Sequence, residues 1–231
     1  MNKYLVTGAS TGLGAGMVRL MAGMSMNRST LSKYKNTDYD VIIHAGFARY
    51  DATTEKQAYI DEAVNLAENI VNFKARKFVL ISSIDCNTDA VFNAYVEAKC
   101  RVEDVFRKHC SNCLILRLPS LYGLEMKVNQ LYRIATEKRP SISLAPNSTF
   151  SLISYSDVVD FINSYDSDGT VNLLSDIVSL EEVSVFFGSR PRWGHFEYQT
   201  SIGNIQSSII NVGESLDRYS NFLHELRINE T

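Results

Sequence analysis

Tyr95 and Lys99 stand four residues apart in Tyr95-Val96-Glu97-Ala98-Lys99. The run from about Ala94 to Lys108 favours a helix, and residues four apart on a helix share a face. A phenol and an ammonium are thereby brought to one side. A free phenol titrates near pH ~10, too high to exchange protons at neutral pH. A fixed cation beside it favours the phenolate and lowers that pKa. Poising the phenol near neutrality takes roughly 4 kcal/mol, at about 1.4 kcal/mol per unit. The expected chemistry is acid–base exchange by Tyr95, tuned by Lys99.

The elements that would position this pair follow from the chain on either side. Tyr4-Leu5-Val6 is a short apolar β-run that enters Thr7-Gly8-Ala9-Ser10-Thr11-Gly12-Leu13-Gly14, and Ala15 to Ala22 has helix formers at apolar spacing. Strand, glycine turn and helix together make the dinucleotide-binding arrangement. Gly8 and Gly12 admit tight backbone close to a pyrophosphate, Gly14 lets helix and strand pack, and free N–H groups at the helix start favour the anion. Lys99 and a bound cationic nicotinamide ring would then act on Tyr95 together.

A common NAD fingerprint places an acid about 20 residues beyond the glycine turn. Arg28 stands there instead, and no Asp or Glu occurs between Gly8 and Asp38. An arginine suits the extra phosphate of NADP, and Ser29 and Thr30 add donors. NADP is therefore the expected cofactor, with NAD as the alternative. The segment from Arg28 to Asp40 is too short for a further strand–helix unit, so the adenine side of the sheet is expected to be trimmed.

Asp40-Val41-Ile42-Ile43-His44-Ala45-Gly46 reads as a buried strand, with Ala45 and Gly46 small enough for a cofactor to approach the backbone. His44 is expected to pack at the strand end. A helix is expected near Glu55 to Phe73, with an amphipathic stripe through Ala63, Leu66, Ala67, Ile70 and Val71. Phe78-Val79-Leu80-Ile81 reads as a strand that delivers Ser82-Ser83 at its carboxyl end, where open α/β sheets bind ligands. Leu114-Ile115-Leu116 is a further strand.

The chain has 231 residues, 45% hydrophobic and 21% charged, enough for a sizeable core. A net charge of −3 gives no reason to expect nucleic acid or an anionic membrane surface. No apolar run reaches ~18 residues and no signal-peptide pattern opens the chain, so a soluble cytoplasmic protein is expected. Cys110 and Cys113 have CxxC spacing without a second pair, and no metal is expected.

In one order, Thr7–Gly14, His44-Ala45-Gly46, Ser82-Ser83, Tyr95-xxx-Lys99 and Leu116-Arg117-xx-Ser120-Leu121-Tyr122-Gly123 resemble the short-chain dehydrogenase/reductase superfamily. The set is similar to its extended NAD-dependent epimerase/dehydratase branch, which modifies nucleotide sugars. Phe150 to Val159 resembles that branch's strand and Asp-bearing helix start, and Gly169–Leu173 with Ser179–Val183 its last strand and helix.

The resemblance implies an α/β fold: a Rossmann-type, doubly wound, mostly parallel sheet with a small C-terminal substrate lobe. Residues 1–231 would form one NAD(P)-binding domain, the lobe drawn mainly from about 124–150 and 165–231. It implies that Tyr95 is the acid/base, that Lys99 binds the nicotinamide ribose, and that Ser83 holds the substrate oxygen. Pro119 and Ser120 would lie near the nicotinamide. Gly8, Ser10, Thr11, Gly12, Leu13, Gly14, Arg28, Ala45 and Gly46 complete the expected cofactor site.

Departures from the branch are visible. The glycine spacing is that of the classical branch, Ser120 replaces a common Asn, and Phe150 stands near a common diphosphate-binding Arg. Ile84-Asp85 follows Ser83 where dehydratases carry Asp-Glu. The expected activity is hydride transfer on a nucleotide-linked or related sugar, by reduction or epimerisation. The competing class is a non-catalytic NADP-binding sensor or scaffold. The resemblance implies a homodimer through the helices near Glu55–Phe73 and Ala94–Lys108, which in the family often pair with the same two helices of a second subunit, and Val64, Val102, Val105 and Phe106 are expected to include more apolar surface than one buried face needs.

Overall fold

The structure is a computed structural model that describes residues 3–47, 55–87, 93–124, 126–200, 202 and 208–229. In chain order the elements are β1 (Tyr4–Thr7), α1 (Gly12–Met21), β2 (Met24–Met26), α2 (Leu31–Tyr34), β3 (Asp38–His44) and α3 (Lys56–Val71). Next come β4 (Lys74–Ser83), α4 (Ala94–His109), β5 (Cys113–Leu118), β6 (Ser120–Tyr122), α5 (Gln130–Thr136) and β7 (Thr149–Ser154). The chain continues with α6 (Tyr155–Ser164), β8 (Gly169–Leu174), β9 (Ile177–Ser179), α7 (Leu180–Phe186), β10 (Ser208–Asn211) and α8 (Leu216–Asn229).

Seven strands form one parallel sheet in the order β10-β8-β5-β4-β3-β1-β2. Its central strands read as near-continuous apolar runs because helices cover both faces. One face packs Ile42, Phe78, Leu80 and Ile115 against Ile60, Ala67, Val102 and Phe106 of α3 and α4. The other packs Val6, Ile43, Val79 and Leu116 against Met17 of α1 and Val158 and Ile162 of α6. A second sheet, β6-β7-β9, carries the lobe, whose core joins Tyr122 and Leu152 to Leu131, Ile134, Leu180 and Tyr219. β8 and β10, counted into the lobe on sequence grounds, belong to the main sheet instead.

Among the described residues, the sheet beyond β1 has only β2, three residues long, at that edge. A fully doubly wound sheet has two strands there. β2 itself, before Arg28, is a strand the sequence reading did not anticipate. After it come only the short 3-10 helix Arg28–Thr30 and the four-residue α2. The strand Gly169–Leu174 is likewise not the last, since β10 and α8 follow.

Two close contacts fix the layers. A Cβ on Gly16 of α1 would stand 2.6 Å from the Tyr155 ring, and one on Gly123 would stand 2.2 Å from it. Tyr155, the first residue of α6, is thus wedged between two glycines. In α4, Glu103 is fully buried. It accepts from Ser82 Oγ of β4 at 2.5 Å, from Arg117 of β5 at 2.6 and 2.9 Å, and from Arg107 at 2.5 Å. Burial alone would push its pKa up. The Arg117 guanidinium, with Ser82 and Arg107, more than offsets this and holds the carboxyl below its ordinary value.

Val102 and Phe106, read as surplus apolar surface, are spent inside the protomer, while Val64 and Val105 are partly buried against the same core. Among the described residues no helix is long and apolar enough to cross a membrane. Removing one partner of a buried ion pair costs about 3–5 kcal/mol. Glu103→Ala should therefore lower the unfolding free energy by about that amount at pH 7, as read from the denaturant midpoint. A loss within about 0.5 kcal/mol would show that the cluster does not hold the layers.

Candidate active site

β1 runs directly into the turn that carries Gly8, Ser10 and Thr11. Gly8 has φ +69° and Gly12 φ +59°, both in the left-handed region that favours glycine. A Cβ on Gly8 would stand 2.4 Å from Gly46 Cα, and one on Gly14 would stand 2.3 Å from the Gly8 carbonyl oxygen. The turn, the segment Ala45-Gly46 after β3 and the first turn of α1 therefore meet backbone to backbone. α1 starts at Gly12, earlier than the sequence suggested, and includes Leu13 and Gly14. Its N-cap Thr11 makes no side-chain cap bond, and no acid lies in the first turn. No acid of α1's first turn therefore offsets the positive helix end, which suits an anionic group such as a pyrophosphate.

Beside this turn lies a pocket of about 250 Å³ lined by Thr7, Gly8, Ser10, Met26, Asn27 and Phe47, among others. No Asp or Glu is among its described lining residues. Asn27, at the end of β2, turns its side chain inward to cap the Arg28–Thr30 turn, accepting from Thr30 N–H at 3.1 Å. The Arg28 side chain lies outside the described residues.

His44 packs at its strand end as expected. Its Nδ1 shares a hydrogen bond with Thr7 Oγ1 at 2.8 Å and its ring stacks on Phe106 at 5.6 Å. Burial, with the Lys99 charge adding to it, pulls its pKa down to about 3, so the ring is neutral at physiological pH. Cys110 caps α4 and Cys113 opens β5, where the spacing placed them.

Ser83 is the last residue of β4. Tyr95 and Lys99 lie in the first two turns of α4, which is capped by Asn93 Oδ1 on Val96 N–H at 3.0 Å. Lys99 is 5% exposed, and its Nζ donates to the Ile81 carbonyl at 2.9 Å. Nζ also stands 4.0 Å from the Phe47 ring centroid and 5.8 Å from that of Tyr95. Burial pulls its pKa down to about 8.

The Tyr95 ring is 38% exposed, and its phenol is raised above the ordinary value. Desolvation of the hydroxyl is the main cause and the Asp85 charge the next, while the Ser83 hydroxyl pulls the other way. This differs from the sequence expectation of a lowered pKa. The Lys99 ammonium is spent on a carbonyl and on Phe47, while burial of the hydroxyl and the Asp85 charge act against the phenolate.

Asp85 is the residue that sequence reasoning undervalued. Its carboxylate accepts from Ser83 Oγ at 3.2 Å and from Tyr198 OH at 2.7 Å. Tyr198 comes from the far end of the chain and carried no motif. It stacks on Phe150 at 4.9 Å, and both line a second pocket of about 250 Å³ with Ser120, Gln130 and Leu144. Pro119 links β5 to β6. Ser83, Asp85, Tyr95 and Lys99 thus lie at the carboxyl end of β4, with Tyr198 reaching Asp85 from the lobe.

No protein-family model matches the chain, and no curated protein sequence does. Solved structures do. ADP-L-glycero-D-manno-heptose-6-epimerase of Helicobacter pylori superposes with TM-score 0.74 at 13% identity, covering 98% of this chain and 96% of that one. The fold is the same. UDP-N-acetylglucosamine 4-epimerase from Bacillus cereus gives 0.67 at 16% identity, covering 99% of each chain. The Bordetella bronchiseptica enzyme WbmG, in complex with NAD and UDP, gives 0.67 at 11% identity, covering 96% of this chain and 88% of that one. The Rossmann-type fold is therefore shared with these two epimerases and with WbmG.

A lysine whose folded pKa is depressed is a net cost to stability below that pKa. The cost is relieved as pH rises from about 8 towards its unfolded value near ~10.4. Lys99→Met should therefore be more stable than wild type at pH 7, and the gap should close by about pH 10. Paired denaturant titrations across that range measure it. A variant less stable at pH 7, or a gap that widens with pH, would refute the buried-ammonium picture.

Proposed function

We propose that the chain is an NAD(P)-dependent oxidoreductase or epimerase acting on a nucleotide-linked or related sugar. The observation that carries this is the convergence of Ser83, Tyr95 and Lys99, with Phe47 of the glycine-turn pocket packed on Tyr95 and Lys99 and Tyr198 of the second pocket joined to Ser83 through Asp85. In this reading the turn Gly8, Ser10, Thr11, Gly12, Leu13 and Gly14 holds the pyrophosphate. Ala45 and Gly46 let the dinucleotide lie against backbone, and Pro119 and Ser120 flank the nicotinamide. The dinucleotide supplies hydride transfer when bound.

The chain's own residues handle the proton. Ser83 holds the substrate oxygen, and Tyr95 exchanges the proton on it. A phenol held above its ordinary pKa enters protonated at neutral pH, so it is set to donate to a carbonyl oxygen. Lys99 binds the nicotinamide ribose, for which its Nζ must turn from Phe47. The nucleotide-sugar substrate is supported by the structural neighbours, whose names are those of enzymes on such sugars. A homodimer through α3 and α4 belongs to the same reading and rests on Val64 and Val105.

For the cofactor, NADP is favoured by the absence of a carboxylate among the described lining of the adenine-side pocket and by Arg28 just beyond β2. NAD is the second reading, favoured by the WbmG complex. A non-catalytic sensor is the competing class, favoured by the three-residue edge strand and by the Phe47 ring over Lys99.

Two measurements separate these. Tyr95→Phe should lower turnover of a keto-sugar nucleotide panel by about 10²–10⁴, the usual worth of a general acid–base, with cofactor affinity nearly unchanged. Equal rates would remove Tyr95 from the mechanism, and no turnover by wild type across the panel would favour the sensor. In fluorescence titrations NADPH should bind more tightly than NADH, and Arg28→Ala should erase that preference. Tighter binding of NADH by wild type would decide for NAD.

A further inference from the structure

Phe47 stands between the two parts of the candidate site. Its ring lines the pocket beside the glycine turn, together with Thr7, Gly8 and Gly46, whereas neither Tyr95 nor Lys99 is among that pocket's described lining residues. The same ring packs on both of them. Its centroid lies 4.0 Å from Lys99 Nζ and 5.9 Å from the centroid of the Tyr95 ring, which it meets edge to face at 67°. Tyr59 of α3 touches it in the same way, at 5.9 Å and 65°.

The contact with Lys99 covers a charge that a ligand could use. An ammonium has three N–H donors. One goes to the Ile81 carbonyl at 2.9 Å, and the Phe47 ring lies over the group. An aromatic face is the negative side of its ring, so Phe47 competes with any ligand oxygen for that ammonium. The backbone just before the ring is pinned. Gly46 N–H donates to Thr7 Oγ1 at 3.0 Å, and a Cβ on Gly46 would stand 3.0 Å from the Gly8 nitrogen. The ring itself is only partly buried against the core. It can therefore change rotamer while the glycine turn keeps its shape.

We infer that Phe47 is a displaceable gate: in the free protein its ring covers Lys99 and separates the glycine-turn pocket from Tyr95, and a dinucleotide reaching from the turn to Tyr95 must turn the ring aside. The inference rests on the cofactor site proposed above and adds a control on entry to it. Lys99 is thereby reserved for a ligand that gains enough at the glycine turn to offset the lost ring contact. A ligand that ends at the pyrophosphate never meets the gate. For a longer one, the apparent affinity is reduced by the fraction of protein in which the ring is already aside.

The test uses the full chain and its Phe47→Leu variant, which keeps apolar bulk and loses the π face. Phe47→Met takes its place if the leucine variant does not fold. The first readout needs no ligand. Burial pulls the Lys99 pKa down to about 8, so near that pH the amine is part neutral and open to acetylation by trace acetic anhydride. Mass spectrometry maps the rate at each lysine. Lys99 should react about ten-fold faster in the variant, with the exposed Lys127 unchanged. The second readout is calorimetric titration. NADPH should bind the variant about ten-fold more tightly than wild type, while ADP should bind both alike. Equal labelling of Lys99 in the two proteins overturns the gate, and so does a gain in NADPH affinity no larger than the gain for ADP. In either case bound NADPH leaves the proposed function standing. Binding of no nicotinamide dinucleotide by either protein is a different result, which overturns the proposed function and the gate with it.

Discussion

One buried carboxylate governs how the rest of the molecule is put together. Glu103 brings a negative charge into the interface between α4 and the sheet, where a lone charge would be prohibitive. It is tolerated because Ser82, Arg107 and Arg117 all converge on it. Arg117 continues the chain of contacts to Asn87, and Asn87 to Asn172 in β8. Three strands and one helix are thereby set in a single register. The same helix carries Tyr95 and Lys99, and the same strand carries Ser83. Their mutual placement is thus inherited from a polar knot below the site.

The upper side of that knot is where the two sheets meet. Rossmann-type crevices open at the carboxyl ends of the parallel strands, and here β1, β3 and β4 all end at it. What closes the other wall is a pair of stacked rings, Phe150 and Tyr198, from the smaller sheet and the chain beyond it. Asp85 joins the walls, since one oxygen faces Ser83 and the other Tyr198. The lobe is therefore connected to the reacting end by a charged hydrogen bond, a stronger link than a neutral one.

Much of this could be read from residues alone, for identifiable reasons. The glycine turn was legible because Gly8, Gly12 and Gly14 stand where backbone must approach backbone. The Tyr95–Lys99 pair was legible because helical periodicity fixes its face. The strands β1, β3, β4 and β5 were legible as uninterrupted apolar runs. The strand β2 was not legible, because three residues at an edge leave no periodicity to detect. Nor was the return of β10 to the main sheet, which depends on long-range pairing with β8. The pKa of Tyr95 went the other way because local spacing names the nearest cation on the helix, but neither the desolvation of the hydroxyl nor the Asp85 carboxylate arriving from another loop. Tyr198 could not be found at all, being 113 residues from its partner and lacking a motif.

The wedge of Tyr155 between Gly16 and Gly123 bears on how this chain can drift in evolution. The three positions share one volume: a side chain at either glycine would overlap the ring by far more than neighbouring atoms can absorb. A bulkier residue at 16 or 123 becomes acceptable only together with a smaller one at 155, because close-packed interiors have no spare space to lend. Substitutions at these sites are therefore bound in order, with the ring shrinking first and the glycines growing second. A lineage that takes the steps in reverse must cross a poorly folded intermediate.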